Sequence, residues 1–168
     1  MTSGISEADE RGNVTTGGTT ILAALRKAAG EAQVTLSRDG SGAQGASVGI
    51  AVIGETPYAE MMGDRTDLNL AADDLAVVGN LKRAGIPVVA VLVSGRPLVI
   101  DELLPKVDAL VAAWLPGTEG DGVADVLFAQ WKPSGKLSFT WPRGTSTSFH
   151  RGDSGYQTLF PFGYGLSY

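Results

Sequence analysis

Two glutamates, Glu55 and Glu60, share one stretch with Tyr58, Asp64 and Arg65. That stretch reads Gly54-Glu55-Thr56-Pro57-Tyr58-Ala59-Glu60 and runs on to Gly63-Asp64-Arg65. It follows an apolar, β-branched run over residues 48–53 and breaks into a loop at Gly54 and Pro57. Ligands of open α/β sheets bind in the crevice outside the carboxyl ends of the strands. A glutamate one residue past such a strand has a rigid support and an exposed position. Partial burial raises a carboxyl pKa and suits it to general acid/base work. Glu55 is therefore the first candidate and Glu60 the second. The plainer reading of both is loop solvation or helix capping. Asp64 and Arg65 are expected to hold the loop by an ion pair.

Other stretches carry weaker signals. Gly40-Ser41-Gly42-Ala43-Gln44-Gly45 fits G-x-G-x-x-G, but a dinucleotide site needs that loop to open a helix. A strand follows here instead, so a plain loop is expected. There is no G-x-x-x-x-G-K-[ST] and no G-x-S-x-G. Ser94 before Gly95 reads as a turn residue, and His150 is a lone histidine in an irregular tail. Arg96, just past a strand, suits a buried salt bridge at the same sheet edge. Trp114 and Glu119 flank another strand end. A Trp there lines either a sugar subsite or the core, and core is the preferred reading. Asn13-Val14-Thr15 is a glycosylation triplet of a kind frequent by chance.

The elements that must position these residues alternate along the chain. Thr19 or Thr20 caps a helix with the apolar face Ile21, Leu22, Leu25 and Ala28, closing at Gly30. Residues 33–37 read as a short strand, 38–46 as a loop and 47–53 as a buried strand. Residues 70–84 show helical spacing, with Gly85 as the stop. Residues 86–93 are a continuous apolar run, the pattern of a parallel strand buried on both faces. Residues 98–100 read as a short strand or helix entry, 107–114 as a buried strand, 119–130 as a helix and 137–141 as an edge strand. The β–α–β–α–β–α order implies a three-layer α/β/α sandwich, flavodoxin-like, with a mostly parallel sheet of about five to six strands. Residues 1–18 read as a flexible N-terminal segment and residues 19–168 as one domain.

Composition narrows the function. The chain has 168 residues, enough for one domain with a sizeable core. A formal net charge of −5 argues against nucleic-acid or anionic-membrane partners. With no cysteine and one histidine, thiolate catalysis and multi-His metal sites are excluded within one chain. No apolar run approaches the roughly 18 residues of a membrane span. The first residues have no signal-peptide pattern.

Taken in order, the motifs resemble the C-terminal α/β domain of glycoside hydrolase family 3, the β-glucosidase and exo-β-glucanase family. The resemblance rests on Gly54-Glu55-Thr56-Pro57-Tyr58-Ala59-Glu60 with Gly63-Asp64, then Val93-Ser94-Gly95-Arg96-Pro97-Leu98. It continues through Trp114-Leu115-Pro116-Gly117-Thr118-Glu119-Gly120, Ser134-Gly135-Lys136-Leu137-Ser138-Phe139-Thr140-Trp141-Pro142 and Phe160-Pro161-Phe162-Gly163-Tyr164-Gly165-Leu166. It implies retaining hydrolysis of terminal β-D-glucosyl residues without a cofactor. In that family a (β/α)8 barrel supplies the aspartate nucleophile, and the sandwich supplies the acid/base on the loop matching residues 54–64. Carried over by position, Glu55 takes that role with Glu60 second, and Tyr58, Asp64 and Arg65 are the candidates for substrate contacts. The implied partners are a β-glucoside or β-glucan oligosaccharide and the barrel, which is missing here. Family members are often periplasmic or secreted.

Beside the missing barrel, the sequence departs from the family pattern in three places. No Trp-bearing loop precedes Asn13, Met61-Met62 replaces small or charged residues, and Ser146-Thr147-Ser148-Phe149-His150 lacks the usual Gln-Leu-Pro. Two further readings therefore stand beside the first. One is a stand-alone, non-catalytic module that binds sugar or serves as a scaffold. The other is a flavodoxin-like nucleotide binder, which rests on fold analogy alone. Self-association through the face that a barrel would cover is also expected.

Overall fold

Residues 17–58, 61–144 and 152–168 are described by the computed structural model. Helix α1, Ile21–Ala28, starts where a side-chain cap is available. Thr20 is extended, and its Oγ1 accepts the Ala23 N–H at 3.1 Å. Arg26 and Lys27 occupy the last turn, where positive charge suits the helix dipole. Strand β1, Gly49–Gly54, is followed by helix α2, Ala72–Arg83, and strand β2, Val88–Val93. Strand β3, Ala109–Trp114, leads into helix α3, Gly120–Leu127. Short strands β4, Trp141–Pro142, and β5, Thr158–Phe160, close the chain.

Three parallel strands form the main sheet in the order β1-β2-β3. The β1–β2 register runs from Gly49 opposite Val88 to Gly54 opposite Val93. Alternate residues face opposite layers, as strand geometry requires. Ala51 and Ile53 of β1 join Val88, Ala90 and Leu92 of β2 beneath Val78 and Leu81 of α2. On the other face Val91 meets Ile21, Ala24 and Leu25 of α1 and Val123 and Ala124 of α3. The three layers are thus helix, sheet and helices. Full burial of each such valine, leucine or isoleucine side chain contributes about 1.5–3 kcal/mol.

The expected three-layer architecture is present, but the expected count of five to six strands is too high. Among the described residues the parallel sheet has three strands and a separate antiparallel sheet has two. Residues 33–37 alternate like a strand yet lie almost wholly on the surface, with Leu36 42% exposed, and form no strand. Residues 98–100 reach only one bridge, Asn69 to Val99. Residues 137–141 shrink to Trp141–Pro142. Leu137 instead exchanges backbone hydrogen bonds with the chain end, donating to Tyr164 O and accepting from Gly163. β3 is only half-buried rather than fully covered. Among the described residues no helix is long and apolar enough to cross a membrane. The N-terminal segment to residue 16, Glu60 and His150 lie outside the described residues.

Candidate active site

Strands β1 and β2 end side by side, and each hands the chain to a turn that carries site residues. Gly54 ends β1 at φ 148°, a conformation that side chains avoid, and a Cβ there would run into the Val93 backbone carbonyl. The Glu55 N–H then donates to Val93 O at 3.0 Å. Gly54 N–H donates to the Asp74 carboxylate at 3.2 Å, which ties the strand end to the first turn of α2. Burial pushes the Asp74 carboxyl up, the Gly54 bond opposes that, and nearby Asp73 adds to the rise.

After β2, Ser94 is buried. Its N–H donates to Trp114 O at 3.0 Å and its hydroxyl donates to Arg96 O at 2.8 Å. Ser94 is thus the turn residue expected, and it aims Arg96 across the strand ends. Glu55 and Arg96 meet there. Arg96 Nε lies 3.3 Å from Glu55 Oε1, and Arg65 Nη2 lies 3.3 Å from the same oxygen. Oε2 accepts from Tyr58 OH at 3.2 Å and from Gly95 N–H at 3.3 Å. The Glu55 side chain is only 6% exposed.

Arg96 reaches further. Nε donates to Tyr58 OH at 3.1 Å, Nη2 donates to Gly63 O at 2.7 Å, and the guanidinium lies 4.4 Å from the Tyr58 ring centroid. The Tyr58 hydrogen bond raises the Arg96 pKa further, and the Glu55 charge acts in the same direction. The Tyr58 ring lies close over Gly63 and Gly95, where a Cβ at either glycine would strike it.

Of the residues singled out in sequence, the structure therefore joins Glu55, Tyr58, Arg65 and Arg96. Arg65 pairs with Glu55 rather than with its neighbour Asp64, and Asp64 stays exposed at the end of a turn in which its N–H donates to Met61 O at 3.1 Å. Met61 at φ 63° and Met62 are largely exposed beside it, as is Leu115 past β3. Trp114 packs into the core, 5.4 Å from Phe139 and 5.7 Å from Trp141 between ring centroids. Gly40 to Gly45 is a loop without a following helix, so it offers no phosphate cradle. Sequence reasoning did not single out Gly63 O, Gly95 N–H or Asp74. The glycines flanking Tyr58 and Arg96 were the available signal. Among the described residues no cluster of three or more His, Asp or Glu side chains is placed to hold a metal ion.

Comparison with known proteins adds a family frame. The model of the glycosyl hydrolase family 3 C-terminal domain matches residues 3–168. The periplasmic β-glucosidase of Salmonella typhimurium is 35% identical over 153 residues, spanning 75% of this chain and 20% of that protein. The exo-1,3/1,4-β-glucanase of a Pseudoalteromonas species superposes with a TM-score of 0.83 at 41% identity, covering 90% of this chain and 21% of that one. A mutant β-glucosidase from Listeria innocua, solved with laminaribiose, has a TM-score of 0.72 at 26% identity, over 90% of this chain and 26% of that one. The chain thus spans about a fifth to a quarter of the length of these relatives. Relatives of this kind include a periplasmic enzyme and a structure that binds a glucose disaccharide.

Proposed function

The chain belongs to the family of glycosyl hydrolase family 3 C-terminal domains, and on that premise we propose that it is one half of a retaining β-glucosidase or exo-β-glucanase. In this reading a (β/α)8 barrel supplies the nucleophilic aspartate and most of the glucose site. The loop over residues 54–64 supplies the general acid/base, with Glu55 and Glu60 as its carboxylates. The observation that carries the reading is where this loop leaves the sheet. It departs from the carboxyl end of β1, beside that of β2, where open α/β sheets present ligand-binding residues. Tyr58, Asp64 and Arg65 lie on the same loop and are the candidates for substrate contacts.

The chemistry sets the division of labour. The nucleophile forms a glucosyl-enzyme while the acid protonates the leaving oxygen. The same carboxyl, now ionised, takes a proton from the incoming water. The two carboxyls must stand roughly 5–5.5 Å apart. One domain contributes one of them, so the chain alone lacks a route to the intermediate. The exposed Met61, Met62 and Leu115 belong to the surface that would face the barrel. Two copies would meet there if the chain self-associates.

The isolated chain should be nearly inert on aryl β-glucosides. Robust turnover by pure chain would overturn the half-enzyme reading. Titration with laminaribiose, followed by Trp fluorescence, separates it from a sugar-binding module, which would saturate where a half-site stays weak.

A further inference from the structure

We infer that Trp114 is a positioning residue of the strand-end site. Packing of its ring holds its backbone in the left-handed region, and its carbonyl then anchors Ser94 and, through the turn that follows, Arg96 and Glu55. In its bearing on catalysis this rests on the reading of the strand ends as half of a glycosidase site.

Trp114 ends β3 at φ 54°. A positive φ on a bulky residue is an outlier, and it persists only where the surrounding structure enforces it. The sheet is irregular at the same place. Leu92 pairs with Ala112 but Val93 pairs with Trp114, so Ala113 is an extra residue in β3. Such a bulge bends the strand and re-aims the groups beyond it, and bulges gather next to active sites. Two groups are re-aimed here. The Trp114 carbonyl accepts the Ser94 N–H at 3.0 Å. Leu115 leaves the strand 69% exposed, with Cδ1 3.6 Å from where a Cβ on Gly95 would lie.

The ring supplies the hold. Its centroid lies 5.4 Å from that of Phe139, edge to face, and 5.7 Å from that of Trp141. Trp141 is itself fixed: it is buried, and its Nε1–H donates to Leu98 O at 2.9 Å. A large ring wedged against a fixed neighbour in close packing has few ways to turn. From the carbonyl the constraint passes on in short steps. Ser94 is 1% exposed, so its N–H needs a protein acceptor. The Ser94 hydroxyl donates to Arg96 O at 2.8 Å, and the next N–H, that of Gly95, donates to Glu55 Oε2 at 3.3 Å. A change in the direction of one carbonyl therefore reaches both members of the Arg96–Glu55 pair.

The test compares wild type, Trp114→Phe, Trp114→Gly, Trp114→Ala and Phe139→Ala as full chains. Exchange of the Ser94 and Gly95 amides is read relative to Val91 in β2, so that a general loss of stability does not count as an effect. The Arg96 Nε–H resonance reports its bonds to Tyr58 and Glu55. In Trp114→Ala the ring is gone and the backbone is free to relax. Ser94 should exchange about 10-fold faster there, and the Arg96 resonance should shift. Trp114→Phe keeps a ring to wedge and should stay close to wild type. Trp114→Gly lacks the ring but accepts a positive φ freely, so it should keep more protection than Trp114→Ala. Phe139→Ala leaves Trp114 in place and removes one side of its hold. It should show the same effect in weaker form, and it decides the matter if Trp114→Ala does not fold. Wild-type exchange and an unshifted Arg96 resonance in the alanine variants would overturn the inference. Equal loss of protection in Trp114→Ala and Trp114→Gly would also overturn it. Recombined with a barrel half from a family relative, Trp114→Ala should lower kcat/KM on aryl β-glucosides about 10- to 100-fold, and Trp114→Phe should lose little. Faster Ser94 exchange with undiminished turnover would uphold the anchoring and count against the catalytic reading of this corner. A wild-type mixture without turnover would count against the half-enzyme reading, and the exchange results would then decide the anchoring.

Discussion

Gly54 is the residue on which the site geometry depends most directly. Its backbone turns the chain out of β1 at φ 148° and brings it against the Val93 carbonyl. Backbone conformations reserved for glycine cost a side chain about 1–3 kcal/mol before any clash is added. Gly54→Ala should therefore destabilise the domain by at least about 2 kcal/mol, read as a lower midpoint in urea with an unchanged slope. An unchanged midpoint would mean that the strand end bends differently. Glu55, one residue on, was legible as a candidate from its place after an apolar run. Its surroundings were not. Gly95 and Arg96 are remote from it in sequence and arrive only because β1 and β2 pair in parallel and end together. Periodicity indicates that a strand ends; it does not say which other strand ends beside it.

At the scale of elements, carboxylates that accept backbone N–H groups tie down the strands, Asp74 at the carboxyl end of β1 and Asp108 at the opposite end of the sheet. Asp108 accepts the Val88 N–H at 2.8 Å, at the entry to β2, and stands 3.6 Å from Lys82 of α2. The Val88 hydrogen bond lowers its pKa below the ordinary 3.8, and Lys82 adds to this. Asp39 and Asp67 are lowered in the same way by hydrogen bonds from Ser41 and Asn69. A depressed carboxyl contributes stability above its unfolded pKa and loses it as pH falls through its folded pKa. Acid should therefore weaken the fold below about pH 3.8. Asp74 acts with the opposite sign. Its raised pKa favours the folded state at low pH, and that contribution fades as pH rises through its folded value. Asp108→Asn keeps an acceptor for Val88 but removes the titration. Its Tm should fall less steeply than that of wild type on acidification, and an identical slope would contradict the assignment.

The elements themselves were legible to different degrees. The continuous apolar run of β2 and the Thr20 cap of α1 gave correct elements because burial on two faces and a capping hydroxyl leave local marks. Residues 33–37 misled because alternation records strand propensity and not the presence of a neighbour to pair with. The closing segment misled in a related way. Its backbone hydrogen bonds go to the chain end, where Phe160 stacks on Tyr164 at 4.6 Å between centroids.

At the scale of the whole molecule, a packed sandwich carries exposed apolar side chains beyond the ends of its strands. The core is closed on both faces of the sheet, while Met61, Met62 and Leu115 stand exposed around the strand ends. The stretch that matches makes up only 20% to 26% of each of the three relatives. The architecture and the family were legible in the ordered motifs. In the proposed reading a second surface follows from the chemistry alone, since retaining hydrolysis needs two carboxyls and one loop would supply one role. The most direct measurement is therefore recombination of the chain with the barrel half of a family relative, assayed for aryl β-glucoside hydrolysis. The account predicts turnover that appears only when both halves are present, saturates with added chain and is lost when the barrel nucleophile is replaced. A mixture no more active than either half, formed under conditions where the two demonstrably associate, would contradict it.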